Sequence, residues 1–288
     1  MSTKGVLLAG GKATRLHPLT LSTNKHLLPI FSKPMIYYSL STLMLSGLRD
    51  IVIVVDASEK NFFYSALGDG SKYGLNIEYS IQDKPDGLAS AIYSAKDKIK
   101  NKDIKVILGD NIFYGKDLEN ILSNNSKKYD ATFFTQNVNN PEGFGVLERN
   151  KDGKILKIIE KPKNYISSEA VLGLYFYNNE VIDLIEQLSK SERNELEITD
   201  LNNLYIESSR VKIHNIGRGI TWFDAGTIND LQDASNFIQN IENRQETIIS
   251  SIEEIAYRKG YISEDSFINL ANDLSNSDYG KKLLKILN

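Results

Sequence analysis

Short apolar runs at 5–8, 50–55, 76–81, 105–108, 130–135, 154–160 and 171–177 alternate with segments of helical apolar spacing, and this alternation constrains the fold more than any other feature. Residues 35–46 show the helical pattern and end at Gly47, and 88–99 and 118–122 read similarly. Strands that alternate with helices predict right-handed βαβ units and a mostly parallel sheet. From about Thr227 the pattern becomes helix without strands, through Phe237-Ile238, Ile252–Ile255 and the 283–287 segment. The expected organisation is a core over 1–226 and a helical region over 227–288 packed on it, with no Pro-, Gly- or Ser-rich linker, repeat or low-complexity segment. With 288 residues and 41% apolar content, the chain has enough material for a sizeable core.

The first run, Gly5-Val6-Leu7-Leu8, leads into Ala9-Gly10-Gly11-Lys12-Ala13-Thr14-Arg15-Leu16 and then Lys25-His26-Leu27-Leu28-Pro29. A buried strand that ends at two glycines turns sharply and leaves backbone N–H groups free to wrap a polyphosphate. Arg15 and Lys25 supply the full positive charges that such an anion needs. The loop lacks the third glycine of G-x-G-x-x-G and the G-K-[ST] ending of a Walker A, and a double glycine after a strand is by itself equally compatible with a plain turn.

Two further constellations give the loop its meaning. Val106-Ile107-Leu108-Gly109-Asp110 is a strand that ends in glycine and a carboxylate, and ligands of open α/β sheets bind beyond such strand ends. Beside a triphosphate, Asp110 reads as a Mg²⁺ ligand, with Asp224 in Trp222-Phe223-Asp224-Ala225-Gly226 as its partner. Taken singly, either aspartate is also a plain helix cap or turn residue. In Ile158-Ile159-Glu160-Lys161-Pro162, alternation assigns Ile159 to the core and turns Glu160 to a cavity, where it can accept from sugar hydroxyls while Lys161 holds a phosphate. A surface ion pair is the plainer reading of that pair. Arg193, Glu195 and Glu197 form another charged cluster, whose bland reading is helix capping.

Composition excludes several classes. The chain has no cysteine and three histidines, which removes disulfides, thiolate chemistry and a histidine-rich metal site. No apolar run approaches the ~20 residues that span a bilayer, and the first residues lead straight into a strand, so no membrane partner is expected and the cytoplasm is the default location. A net charge of −3 and a pI near 5.8 argue against a nucleic-acid partner.

Together these motifs resemble the sugar nucleotidylyltransferases, and most closely the glucose-1-phosphate thymidylyltransferases. The resemblance runs almost end to end. It is carried by Leu8-Ala9-Gly10-Gly11 with Thr14-Arg15-Leu16, Lys25 with Leu27-Leu28-Pro29, Lys33-Pro34-Met35, Pro85-Asp86-Gly87-Leu88-Ala89 and Leu108-Gly109-Asp110-Asn111. It continues through Glu160-Lys161-Pro162, Gly173-Leu174-Tyr175-Phe176-Tyr177, Leu196-Glu197-Ile198-Thr199-Asp200, Gly226-Thr227 and Glu253-Glu254-Ile255-Ala256-Tyr257-Arg258.

The resemblance implies a Rossmann-like, three-layer α/β fold with a mixed, mostly parallel sheet and a helical C-terminal appendage. It implies in-line attack of a sugar 1-phosphate on the α-phosphorus of a nucleoside triphosphate, giving a nucleotide sugar for deoxysugar and surface polysaccharide synthesis. Arg15, Lys25, Asp110, Lys161 and Asp224 would be catalytic, with Asp110 and Asp224 on Mg²⁺. Leu8, Ala9, Gly10, Gly11, Thr14, Gln82, Pro85 and Gly87 would hold the nucleotide, and Gly145, Glu160, Val171 and Arg193 the sugar phosphate. A second, end-product site would use Tyr114, Arg218, Ile255 and Arg258, in a homotetramer.

Several positions depart from the family's usual residues: Lys12-Ala13 for a small residue and glycine, His26 and Ser90 for glutamine, Ile159 for glutamate, and Leu172 and Ala225 for threonine. Ala13 is costly only if its φ is positive. Losing a hydrogen-bond partner near base or sugar costs about 1–3 kcal/mol, enough to change substrate preference. Two other classes stay open: a nucleotide-sugar sensor that has lost catalysis, which retention of the metal carboxylates disfavours, and a Rossmann dehydrogenase, for which Asp56 follows a strand but the glycine spacing is wrong.

Overall fold

The computed structural model describes residues 2–11, 13–123, 128–208 and 210–287, so Lys12 lies outside the described residues. A nine-stranded sheet organises the molecule. Its parallel part places Thr3–Leu8 between Asp50–Val55 and Asp103–Leu108, with Asn76–Ile81 beyond Asp50–Val55. Thr3–Leu8, Asp50–Val55 and Asp103–Leu108 are almost wholly buried, as expected of parallel strands covered on both faces, and the edge strand Asn76–Ile81 is half-buried. The long strand Glu169–Tyr177 joins Asp103–Leu108 antiparallel and carries Ala131–Asn137 and Gly145–Arg149 on its other side. Ile155–Glu160 pairs with Gly145–Arg149, and Val211–Asn215 runs parallel to Ala131–Asn137.

One face is covered by Met35–Leu45 and Lys60–Leu67, whose Ile36, Leu40, Leu43, Phe63 and Leu67 join Leu7, Ile53 and Ile107 in one core. The other face packs Leu88–Ser94 and Ile198–Ser208, through Ala89, Ile92, Leu201 and Tyr205, against Val6, Val52 and Val106. The predicted 88–99 helix is broken after Ser94 and resumes as Lys96–Ile99.

Beyond Asp224 only helices follow among the described residues: Ile228–Gln245, Ile252–Arg258, Glu264–Asp273 and Asp278–Lys285. Each starts with a side-chain cap, from Thr227, Ser251, Ser263 and Ser277. Buried Lys33 ties this region down: its Nζ lies 3.3 Å from Glu242 Oε1, which also accepts from Ile249 N–H at 3.0 Å, while Lys282 sits 3.6 Å from Glu242 Oε2. Burial, opposed by Glu242, pushes Lys33 down to about 8.

Candidate active site

A small antiparallel pair at the carboxyl edge of the sheet sets the site. Asn111–Gly115 pairs with Ile220–Asp224 so that Asp224 lies opposite Asn111, and Ala225 N–H donates to Asp110 O at 3.0 Å. This pairing brings Asp110 and Asp224 together across more than a hundred residues of chain. Neither strand of the pair is in the main sheet. The Asn111–Gly115 strand is absent from the sequence reading because it follows the preceding strand with only Gly109 and Asp110 between.

Lys25 Nζ lies 2.5 Å from Asp110 Oδ2, and Asn111 Nδ2 donates to Asp110 Oδ1 at 2.9 Å. Burial works against the Asp110 carboxylate, but Lys25 and these hydrogen bonds outweigh it and hold its pKa below the ordinary aspartate range. Asp224 goes the other way: burial and then the Asp110 charge push it up to about 7, against Lys25 and Arg15. The two carboxylates repel each other in the buried cleft, Lys25 and Arg15 offset part of that charge, and a divalent cation held by both would offset the rest. Among the described residues no group of three or more His, Asp or Glu could cage a metal by itself. Two carboxylates beside an open cavity instead match Mg²⁺, which keeps waters and phosphate oxygens in its shell. Asn111 Oδ1 in turn accepts from Gly173 N–H at 3.0 Å and Trp222 Nε1–H at 2.7 Å, so the pair is held rigidly from behind.

These aspartates open onto a cleft of about 270 Å³ that Arg15, Gly145, Glu160, Lys161 and Val171 also line. All seven of these residues were named from sequence. Glu160 Oε2 accepts from Thr199 Oγ1 at 2.7 Å, while Lys161 Nζ and Arg193 Nη2 approach its Oε1 at 3.6 and 3.7 Å. Lys161 stands at φ +43°, a left-handed backbone that costs a side-chain-bearing residue energy. The expectation that Ile159 is core is corrected: Ile158, on the same strand face as Glu160, is buried and lines the cleft, whereas Ile159 is half-buried. Arg193 lies at the rim, bound by two hydrogen bonds to Glu197 at 2.8 and 3.1 Å.

The strand end before the loop is fixed by Ala9 N–H to Val54 O and Gly109 N–H to Leu8 O, both 2.8 Å. Leu8 and Ala9 are buried, Gly10 is half-buried, and Gly11, Thr14 and Arg15 are exposed. Ala13 has φ +43°, so the costly geometry is the one present. Gln82 is buried, its Nε2 donating to Gly87 O at 3.2 Å, and Pro85 is exposed; neither these two nor Gly87 lines the cleft. Ser90 hydrogen-bonds Asp86, which holds that carboxyl below its usual value. Leu172 and Ala225 are fully buried. Burial and the neighbouring Lys25 lower His26 to about 3, so its ring is neutral.

Tyr114, Ile255 and Arg258 share a second depression of about 350 Å³. Arg218 is exposed in the turn before Ile220 and does not line it. Sequence reasoning assigned no role to Trp222, Tyr175, Thr199 or Asn202, all of which line the main cleft. Alternation along Glu169–Tyr177 would have placed Tyr175 on the face of Val171 and Gly173.

The nucleotidyl transferase family model matches residues 4–241. A glucose-1-phosphate thymidylyltransferase of Neisseria meningitidis is 43% identical over 285 residues, 99% of each chain. One from Xanthomonas campestris pv. campestris is 45% identical over 281 residues, 97% of this chain and 95% of that one. The solved structure of a Bacillus anthracis protein described as a glucose-1-phosphate thymidylyltransferase, in complex with a sucrose, superimposes with a TM-score of 0.75 at 39% identity, covering 82% of this chain and 95% of the other. A UDP-glucose pyrophosphorylase complexed with UDP-glucose shares the fold, with a TM-score of 0.74 at 24% identity over 83% of this chain and 99% of that one. With its cleft, its paired aspartates and these relatives, the chain belongs to the nucleotidyl transferase family.

Proposed function

We propose that this enzyme transfers the nucleotidyl group of dTTP to glucose 1-phosphate, releasing pyrophosphate and forming dTDP-glucose for deoxysugar and surface polysaccharide synthesis. One observation carries the reading: a single cleft is lined by the Asp110–Asp224 pair and Arg15 together with Glu160 and Lys161. The activity of the glucose-1-phosphate thymidylyltransferase relatives supplies the substrates.

The chemistry asks the protein mainly for positioning and charge stabilisation. Lys161, beside the rim residue Arg193, holds the phosphate of the sugar so that its oxygen faces the α-phosphorus in line. Glu160, Val171 and Gly145 take the sugar hydroxyls and ring. Arg15 and Lys25, with the amides of Gly10 and Gly11, hold the triphosphate and neutralise the charge that grows on pyrophosphate as it leaves. Gln82, Pro85 and Gly87 receive the base. Asp110 and Asp224 hold Mg²⁺, which when bound neutralises phosphate charge.

The enzyme acts in the cytoplasm, where nucleoside triphosphates are made, as a homotetramer. Tyr114, Ile255 and Arg258, with Arg218 from the neighbouring turn, form the end-product site. Residues 1–226 are the catalytic core and 227–288 its helical support.

Pyrophosphate release with Mg²⁺, across dTTP, UTP, CTP, ATP and GTP against several sugar 1-phosphates, tests the reading. Turnover confined to dTTP or UTP with glucose 1-phosphate supports it. Turnover only with another pair moves the specificity to positions such as His26, Ser90 and Leu172, and silence with retained nucleotide-sugar binding marks a sensor.

A further inference from the structure

Two buried polar side chains flank Lys25, and the reaction above uses neither. Asn24 and His26 are 3% and 2% exposed. Asn24 Oδ1 accepts from His26 N–H at 2.7 Å and lies 2.8 Å from His26 Nδ1. An amide oxygen carries no hydrogen, so Nδ1 is the donor to it, and the Ala9 backbone also hydrogen-bonds the ring. Asn24 Nδ2 donates onward to Glu59 Oε2 at 2.5 Å and reaches Ala9 O at 3.5 Å. The far edge of the ring packs on Gly109, where a Cβ would lie 2.6 Å from Cδ2. Three parts of the site therefore meet at this ring: the strand end at Ala9, the Lys25 turn, and the residue before Asp110.

Lys25–Leu27 is a single 3₁₀ turn, closed by Leu27 N–H to Asn24 O at 3.1 Å and Leu28 N–H to Lys25 O at 3.0 Å. So short a turn has no cooperative ladder to hold it, and its place depends on side-chain anchors. Glu59 stands at the start of the Lys60–Leu67 helix, outside the residues that line the cleft.

We propose that Glu59, Asn24 and His26 form a positioning relay that fixes Lys25 against the phosphate loop and Asp110, so that Glu59, without touching substrate, governs the rate of nucleotidyl transfer. The inference rests on the reaction proposed above and deepens it. Asn24 is the joint of the relay, because one amide serves the turn through its oxygen and Glu59 through its nitrogen.

Glu59→Ala and Glu59→Gln test it, by steady-state kinetics and by ¹⁵N NMR of histidine-labelled full-length protein, in which only three histidines contribute. Glu59→Ala is expected to lower kcat about tenfold or more, with KM for glucose 1-phosphate within about twofold and the melting transition retained. Glu59→Gln keeps an acceptor for Asn24 Nδ2 and is expected to recover wild-type kcat. The His26 resonance, an Nδ1–H neutral tautomer, is expected to shift in Glu59→Ala and return in Glu59→Gln. Unchanged kcat in Glu59→Ala, or an equal loss in Glu59→Gln, overturns the relay. If the wild type turns over no substrate pair, the proposed reaction falls instead. The relay is then judged by the resonance alone, and a His26 signal unmoved in Glu59→Ala overturns it.

Discussion

Replacing Lys25 by methionine is expected to tighten divalent metal binding while it destroys turnover. Lys25 Nζ lies 2.5 Å from Asp110 Oδ2, where it competes with any cation for that carboxylate, and both side chains are 13% exposed. Unit charges about 4 Å apart at an effective dielectric of about 20 attract by about 4 kcal/mol. Because the flexible lysine can swing toward solvent or phosphate, only part of this opposes the metal, about 1–3 kcal/mol, or about 5- to 150-fold in affinity. Manganese binding followed by electron paramagnetic resonance at pH 8, where Asp224 is ionised, reads this directly. In the same variant kcat should fall about 10²–10³-fold, as when a preorganised charge is removed from a transition state. Mere damage to the site would weaken both properties. Unchanged or weaker manganese binding in a folded Lys25→Met protein would refute the reasoning.

Asp224 is pushed up to about 7 by burial and the Asp110 charge, so below that pH a proton competes with the metal. Manganese affinity should fall from pH 8 to pH 6, and a flat profile would contradict the pairing of the two carboxylates. Lys33 and Lys105 are both lowered to about 8 by burial, below the unfolded value near 10.4. The unfolded chain then binds more protons between those values, so stability toward urea should rise from pH 8 to 9.5; a fall would show the wrong sign. At Gly173 an added Cβ would lie 2.7 Å from Asn111 Cγ and Oδ1, so Gly173→Ala should cost about 1–3 kcal/mol in denaturant melts and loosen Asp110. Ala13→Gly relieves a left-handed alanine and should stabilise by about 1 kcal/mol in calorimetry, and a lowered melting point would argue against strain there.

The strand at 50–55 and the Met35 helix were legible because burial writes a continuous apolar run and helical spacing into the sequence. Asp110, Glu160 and Lys161 could be found because each follows or ends such a run. What pairs with what was not legible locally. The Lys25–Asp110 contact spans 85 residues, and the apposition of Asp224 to Asp110 depends on a two-stranded pair outside the main sheet. Asn24 carries no motif in the sequence, and His26 stands out only as a departure from the family's glutamine. Their burial is imposed by Ala9, Glu59 and Gly109, which lie far away in sequence. Arg218 illustrates the converse: a family motif gives a residue a role without giving it a neighbour.

The bond from Lys33 to Glu242 spans 209 residues, and Lys282 closes on the same carboxylate. A growing chain that has emerged only as far as the sheet would carry Lys33 without its counter-charge, and Asp224 itself arrives late. The packing around Lys33 therefore cannot mature in the order in which it is synthesised. Ribosome-bound chains should leave Lys33 unpaired until the last helices dock, so that truncation near the C-terminus is felt at the opposite end of the sequence.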